Sequence, residues 1–248
     1  MLLWALLLLI LDAALANPTA GTEIVLILDN SCSMVAGGVM QGTGQKLPAN
    51  DPERAAVLGT LLIEGLVRGS EDRLTVIGFG DERSHPARVV EGGDPIRDLP
   101  YGGGTWFGPA LRAARDRFEQ SPRPHHLAIL FTDGFPSDVH EPDLARKLLG
   151  SPQRLAIGLY GSEDAARDGM GWLRAMVDDP ADTVQLDALS PDVVPRTVDA
   201  FTAAYARVLG SKPLTTRLTP GATHTFDVGR YVTEVLVAVA VVPPGPPW

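Results

Sequence analysis

The sequence predicts a doubly wound α/β domain, in which a mostly parallel β-sheet is covered by helices on both faces. Short apolar runs rich in β-branched residues alternate with helical segments over residues 22–210. Strands that are buried on both faces of a sheet have this continuous apolar character. The composition, with 45% hydrophobic and 21% charged residues, is that of a globular protein.

The first half of the domain is expected to contain three strands and two helices. The predicted strands are residues 23–28, 73–79 and a short edge strand at 88–90. Asp51 followed by Pro52 marks a helix start, because Asp caps helices and Pro favours the first helical position. A glycine turn at residues 102–104 leads into the second helix.

The second half continues the same alternation. The predicted strands are residues 127–131, 155–160 and 183–186, and the predicted helices are residues 143–149, 172–177 and 191–209. In the usual doubly wound order, the first and fourth core strands are neighbours at the point where the strand order reverses.

The N-terminus has the pattern of an export signal. Residues 2–11 form an unbroken apolar run, and Ala14 and Ala16 provide the small residues of a cleavage site before Asn17. The run is shorter than the roughly 20 residues that a membrane-spanning helix needs. We therefore expect residues 1–16 to be a signal peptide and the protein to be periplasmic, cell-surface or extracellular. A misassigned start or a buried strand is the alternative interpretation.

The character of the sequence changes from residue 211 onward. Residues 225–228 and 231–242 are predicted to be strands, followed by a proline-rich end. Two strands alone are marginally stable in water. We therefore expect residues 211–248 to be a β-hairpin that starts a further, truncated β domain, with packing of the hairpin on the α/β domain as the alternative. Association with a membrane is expected only through sequence beyond Trp248.

Charge and cysteine content exclude some functions. The formal net charge of −9 argues against a nucleic-acid partner, since binding to phosphates needs a basic face. Cys32 is the single cysteine, so an intrachain disulfide is excluded.

Five oxygen-bearing side chains follow predicted strands or the glycine turn. They are Asp29, Ser31, Ser33, Thr105 and Asp133. Ligands of open α/β sheets bind at the carboxyl ends of the strands, beside the point where the strand order reverses. We therefore expect the carboxylates of Asp29 and Asp133 to lie close together, although they are far apart in the sequence.

This set of side chains suits a hard divalent cation. Two buried carboxylates side by side repel each other unless a cation lies between them. Carboxylate and hydroxyl oxygens are ligands that Mg²⁺ prefers, with Mn²⁺ and Ca²⁺ as alternatives. At least one coordination position would stay open to solvent or to a partner.

The pattern Asp-x-Ser-x-Ser, a Thr after a glycine turn, and Asp-Gly after a buried strand resembles the metal-ion-dependent adhesion site (MIDAS) of von Willebrand factor type A (vWA) domains. The resemblance covers residues 22–210 and implies a Rossmann-like fold. It implies that Asp29, Ser31, Ser33, Thr105 and Asp133 hold the metal. It further implies that an Asp or Glu of a partner protein completes the metal shell, often with movement of the last helix, residues 191–209.

Two residues, Cys32 and Trp106, are unusual at their positions in this pattern. The family usually has Gly at the position of Cys32, where we expect a small half-buried side chain that faces away from the metal. Trp106 directly follows Thr105 and is large for its position. It is either an aromatic anchor for a partner or packed against the loop.

The sequence therefore predicts a metal-dependent protein-binding module that acts in adhesion or interaction, and not an enzyme. One alternative is a scaffold domain of an envelope protein with a degenerate metal site. Another is a metal-assisted hydrolase, which needs a base within reach. None of the three motifs contains a His or Glu to serve as that base.

Overall fold

The computed structural model describes residues 4–12, 21–35, 38–39, 44, 46–47, 49–51, 54–81, 83, 86–90, 102–208, 212–218 and 234–242. Its strands are β1 (Trp4–Asp12), β2 (Thr22–Asp29), β3 (Gly38–Val39), β4 (Lys46–Leu47), β5 (Arg73–Phe79), β6 (Arg88–Val90), β7 (His125–Thr132), β8 (Gln153–Tyr160), β9 (Thr183–Asp187), β10 (Lys212–Leu218) and β11 (Glu234–Val242). Its helices are α1 (Cys32–Val35), α2 (Ala55–Val67), α3 (Phe107–Gln120), α4 (Pro142–Leu149), α5 (Glu163–Met176) and α6 (Val193–Val208).

A six-stranded sheet lies at the centre of the α/β domain, in the order β6-β5-β2-β7-β8-β9. All neighbouring strands in it are parallel except β5 and β6. From β2 the chain passes to β5 on one side, and from β7 to β8 on the other side. The strand order therefore reverses between β2 and β7, and the predicted doubly wound α/β fold is confirmed.

Helices cover both faces of this sheet. Ile24, Leu26 and Leu28 of β2 face the hydrophobic cluster that includes α2 and α6, whereas Val25 and Ile27 face the cluster that includes α3, α4 and α5. All five side chains are at most 1% exposed. Successive side chains of a strand point to opposite faces, so the middle of a strand between two helical layers is apolar on both faces.

The helix α2 starts later than the sequence predicts. The predicted start was at Asp51 and Pro52, but α2 begins at Ala55, after Arg54 in a left-handed conformation with φ 53°. Asp51 still caps this helix, since its carboxylate accepts hydrogen bonds from the amides of Ala55 and Ala56 at 2.6 and 3.1 Å. The capping residue was identified correctly, and the first helical residue was not.

The two ends of the chain form a separate three-stranded antiparallel sheet in the order β10-β1-β11. Trp4 pairs with Val242, and Ala5 pairs with both Leu218 and Val241. The structure thus differs from the expected C-terminal hairpin, because β1 lies between the two C-terminal strands. The strand predicted at residues 225–228 lies outside the described residues.

The strand β1 and the predicted signal peptide occupy the same residues. Cleavage after Ala16 would remove the central strand of the terminal sheet. The apolar run of residues 2–11 is compatible with either role, since the lengths of strands and of the hydrophobic part of a signal overlap. Among the described helices, none has the length and apolar character needed to cross a membrane.

Candidate metal centre

Two loops meet above the carboxyl ends of β2 and β7, where the strand order of the sheet reverses. Asp29 is the last residue of β2, the segment that follows it through α1 carries Ser31 and Ser33, and the loop after β7 begins with Asp133. The hydroxyl oxygens of Ser31 and Ser33 are 3.0 Å apart. The Ser33 hydroxyl donates to Oδ1 of Asp133 at 3.0 Å and so joins the two loops.

Thr105 brings a third loop to the same place, directly before α3. Its carbonyl oxygen accepts a hydrogen bond from the amide of Ser137 at 2.8 Å. Its hydroxyl lies beside Gly134, where an added β-carbon would be only 3.2 Å from Oγ1. Because Gly134 follows Asp133, the structure brings all five predicted side chains together.

Asp29 is held by neutral donors. Its Oδ1 accepts a hydrogen bond from the amide of Ser31 at 2.8 Å, and its Oδ2 accepts one from the Thr132 hydroxyl at 2.5 Å. The residue is 1% exposed. Burial raises the pKa of the Asp29 carboxyl above its usual value, and the hydrogen bonds from Thr132 and Ser31 act in the opposite direction.

Asp133 is also held by neutral donors, one on each oxygen. Ser33 donates to Oδ1, and the side-chain amide of Asn50 donates to Oδ2 at 2.7 Å. Burial, and then the negative charge of Asp29, raise the pKa of the Asp133 carboxyl to about 7. The two buried carboxylates therefore repel each other.

Glu23, at the other end of β2, is a buried carboxylate that has a cationic partner as well as hydrogen bonds. Glu23 is 0% exposed and accepts hydrogen bonds from the guanidinium of Arg117 at 2.9 Å and from the Ser121 hydroxyl at 2.9 Å. A buried carboxylate is stable when a cation and hydrogen bonds compensate it. Asp29 and Asp133 have the hydrogen bonds, but within the described part of the chain every donor to them is neutral.

This arrangement fits a divalent cation. Two negative charges next to each other and three hydroxyl oxygens form a hard, all-oxygen donor set, which is the type that Mg²⁺ takes. In the described residues, no group of three or more His, Cys, Asp or Glu side chains is placed to hold a metal. A cation in this site would therefore depend on hydroxyl oxygens together with the two carboxylates.

Two residues that hold the site or the helix beside it were missed from the sequence. Asn50 binds Asp133, although its position before Asp51 suggested only a helix start. Asp138 accepts hydrogen bonds from the amides of Phe107 and Gly108, the first residues of α3, both at 2.8 Å. Neither residue belongs to a motif, so the sequence offers no pattern that identifies them.

The rim of the centre carries aromatic side chains. Phe135, two residues after Asp133, is 45% exposed and stacks on His140 with ring centroids 5.6 Å apart. Trp106 is half-buried. Cys32 is exposed, whereas the sequence predicts a half-buried side chain. An open face with exposed apolar side chains is a common feature of binding sites.

The sequence matches no protein family model and no curated protein. Solved structures, in contrast, show a clear similarity of fold. Proximal thread matrix protein 1 from the mussel byssus has 14% identity and a TM-score of 0.53 over 86% of this chain and 50% of that chain. A structure of the same protein with a zinc-occupied MIDAS motif has 16% identity and a TM-score of 0.50, over 86% of this chain and 49% of that chain.

Two bacterial proteins are similar to the same extent. The PilB minor pilin from Streptococcus sanguinis has 14% identity and a TM-score of 0.52 over 77% of this chain and 62% of that chain. The vWF domain of the type V pili tip protein Mfa5 from Porphyromonas gingivalis has 13% identity and a TM-score of 0.52 over 78% of this chain and 97% of that chain. At this identity the similarity concerns the fold, which is that of a vWA domain. The chain spans only about half of the mussel protein and under two thirds of the pilin.

Proposed function

We propose that this chain is a metal-dependent protein-binding module, in which Mg²⁺ is held by Asp29, Ser31, Ser33, Thr105 and Asp133. The observation that supports this proposal is the pair of buried carboxylates at the switch point of a vWA fold, which accept hydrogen bonds from neutral donors alone among the described residues. A divalent cation would relieve the repulsion between them.

Each residue has a distinct part in this proposal. Asp29 and Asp133 supply the negative charge, and the hydroxyls of Ser31, Ser33 and Thr105 supply neutral oxygens. A bound divalent cation would offer an open coordination position to a carboxylate oxygen of another molecule. Because the two carboxylates formally balance a divalent charge, the filled site does not repel an acidic partner.

The partner is proposed to be a protein that presents an Asp or Glu side chain. The exposed Phe135 and half-buried Trp106 would add apolar contacts around that side chain, and aromatic residues contribute strongly to protein interfaces. The net charge of −9 makes nucleic acid an unsuitable partner.

We propose a role in adhesion or in assembly outside the cytoplasm and not in catalysis. The donors at the two carboxylates are Ser, Thr and Asn side chains and a backbone amide, none of which is a general base. The similar structures are a thread matrix protein, a minor pilin and a pilus tip protein by their names. An exported location agrees with these neighbours and with the apolar N-terminus.

Thermal unfolding of the full chain tests the metal site directly. We would compare EDTA with millimolar Mg²⁺ or Mn²⁺ for the natural protein, for Asp29→Ala and for Asp168→Ala. Asp168 is exposed on α5 and serves as a matched control. A metal at a hundredfold over its dissociation constant should stabilise the fold by about 2.7 kcal/mol.

We expect both metals to raise the unfolding midpoint of the natural protein and of Asp168→Ala, but not of Asp29→Ala. Equal midpoints with EDTA and with metal in the natural protein would refute the metal-dependent function. That result would favour a scaffold domain with a degenerate site.

A further inference from the structure

We infer that Asn50 is a sixth residue of the metal centre, which positions the carboxylate of Asp133 for the cation. This inference rests on the metal site proposed above and adds a residue that lies outside all three motifs. Asn50 would act through Asp133 and is therefore a positioning residue.

The backbone fixes Asn50 beside the first metal loop. Its amide donates to the carbonyl oxygen of Ser33 at 2.9 Å, and the amide of the next residue, Asp51, donates to the carbonyl oxygen of Met34 at 2.7 Å. The Asp51 carboxylate in turn caps α2 through the amides of Ala55 and Ala56. Backbone hydrogen bonds at Asn50 and at Asp51 thus fix the position of Asn50 independently of its side chain.

The side chain of Asn50 provides one of the two side-chain hydrogen bonds to the carboxylate of Asp133. The amide nitrogen donates to Oδ2 at 2.7 Å while the Ser33 hydroxyl donates to Oδ1 at 3.0 Å. With a donor on each oxygen, the carboxylate is held in one rotational setting. Residues that orient metal ligands through hydrogen bonds commonly change metal affinity by about 10- to 100-fold.

An amide is suited to this position because it is neutral. Arg or Lys there would cancel one of the two negative charges that attract the cation. Asp or Glu would add a third negative charge beside two that already repel each other. Asn donates a hydrogen bond and adds no charge of its own beside Asp29 and Asp133.

Gly161, directly after β8, leaves room for the Asn50 side chain. A β-carbon at position 161 would lie 2.6 Å from Oδ1 of Asn50, which is closer than such atoms can approach. Replacing Gly161 by Ala would therefore displace the Asn50 amide without altering Asn50 itself. The structure thus offers two independent ways to disturb the same hydrogen bond.

The test is calorimetric titration of the metal-free full chain with Mn²⁺ and with Mg²⁺. The variants are Asn50→Ala, Gly161→Ala and the double variant, with Gly171→Ala as the matched control. Gly171 is exposed on α5, and an added β-carbon there would meet nothing within 4 Å. The unfolding midpoint of each metal-free variant is measured alongside to separate positioning from a general loss of structure.

We expect Asn50→Ala and Gly161→Ala each to raise the metal dissociation constant about tenfold or more, and Gly171→Ala to leave it unchanged. Gly161→Ala should add no further loss in the Asn50→Ala background, because its contact with the amide is then gone. The midpoints of the metal-free variants should change little compared with the change in affinity.

A dissociation constant within twofold of the natural value in Asn50→Ala would overturn the inference while leaving the metal site in place, provided that binding still requires Asp29. Additive losses in the double variant would also overturn it, because Gly161→Ala would then act by another route. Absence of metal binding in the natural protein would remove the proposed function and this inference together.

Discussion

The carboxylate of Asp138 caps the helix that begins at Phe107, 31 residues earlier in the chain. Its two oxygens accept hydrogen bonds from the amides of Phe107 and Gly108, which would otherwise lack partners at the start of α3. Thr105 lies two residues before this helix. The cap therefore connects the loop of Thr105 to the loop of Asp133.

Replacing Asp138 by Ala should lower the free energy of unfolding by about 1 kcal/mol, since loss of a helix cap costs about 0.5–2 kcal/mol. Urea denaturation of the natural protein and of the variant measures this difference. Asp116→Ala, on the exposed face of the same helix, is the control and should stay within about 0.5 kcal/mol. Equal losses in both variants would show that Asp138 has no special role.

The stability of the metal-free protein should depend on pH through Asp133. Its folded-state pKa is about 7, against an ordinary value of 3.8, so the folded state binds more protons between these pH values. The free energy of unfolding should therefore fall as pH rises from about 4 to about 7, by up to about 1.4 kcal/mol per pH unit. Denaturation curves in EDTA across this range measure the slope.

Asp133→Asn removes one of the two carboxyls whose pKa is raised, the other being Asp29, and should therefore reduce that slope. The variant should be more stable than the natural protein in EDTA at pH 7.5, because it has no repulsion with Asp29. It should also lose the stabilisation by Mg²⁺. A natural protein whose stability is flat or rises over this pH range would contradict the assignment.

Phe135 should contribute to partner binding and not to folding. We would select random peptides on the immobilised protein in Mg²⁺ and compare the natural protein with Phe135→Ala and Leu144→Ala. Phe135 and Leu144 are similarly exposed, at 45% and 46%, but Leu144 lies on α4. Exposed apolar side chains at a binding site contribute through contact with the partner.

The natural protein and Leu144→Ala should enrich peptides with Asp or Glu next to an apolar residue. Phe135→Ala should keep the acidic residue and lose the preference for the apolar neighbour. If Phe135→Ala enriches the same peptides as the natural protein, Phe135 does not contact the partner.

Removal of residues 1–16 should loosen the terminal sheet and leave the α/β domain intact. Without β1, the strands β10 and β11 lose the partner that lies between them, and unpaired strands are marginally stable. Limited proteolysis with mass spectrometry should show faster cleavage within residues 212–242 than in the full chain. The fragment 22–208 should resist in both proteins. Equal cleavage of residues 212–242 would show that β1 does not stabilise them.

The order of the central elements could be predicted because the inner strands of the sheet, such as β2 and β7, are apolar over most of their length. Strands such as β5 and β6 were predicted with the observed bounds, and the switch point followed from their order. The five predicted site residues lie together for the same reason, since they follow strand ends that meet at this point. Their role as metal ligands remains a prediction.

The contacts that were missed depend on how distant parts of the chain come together. Asn50 reaches Asp133 only because a loop returns to Ser33, and no local pattern encodes that return. The strand β1 pairs with residues about 200 positions later, while its composition equally fits an export signal. Local sequence rules cannot decide between two roles that share length and hydrophobicity.

The pairing of β1 with β11 determines how the two ends of the chain would respond to a mechanical load. Trp4, at the start of β1, lies opposite Val242, at the end of β11. A force that pulls these two residues apart acts across the strands and loads one pair of residues at a time. The pairs of β1 and β11 would separate one after another, at a lower force than is needed to slide strands past one another, before any load reached the six-stranded sheet.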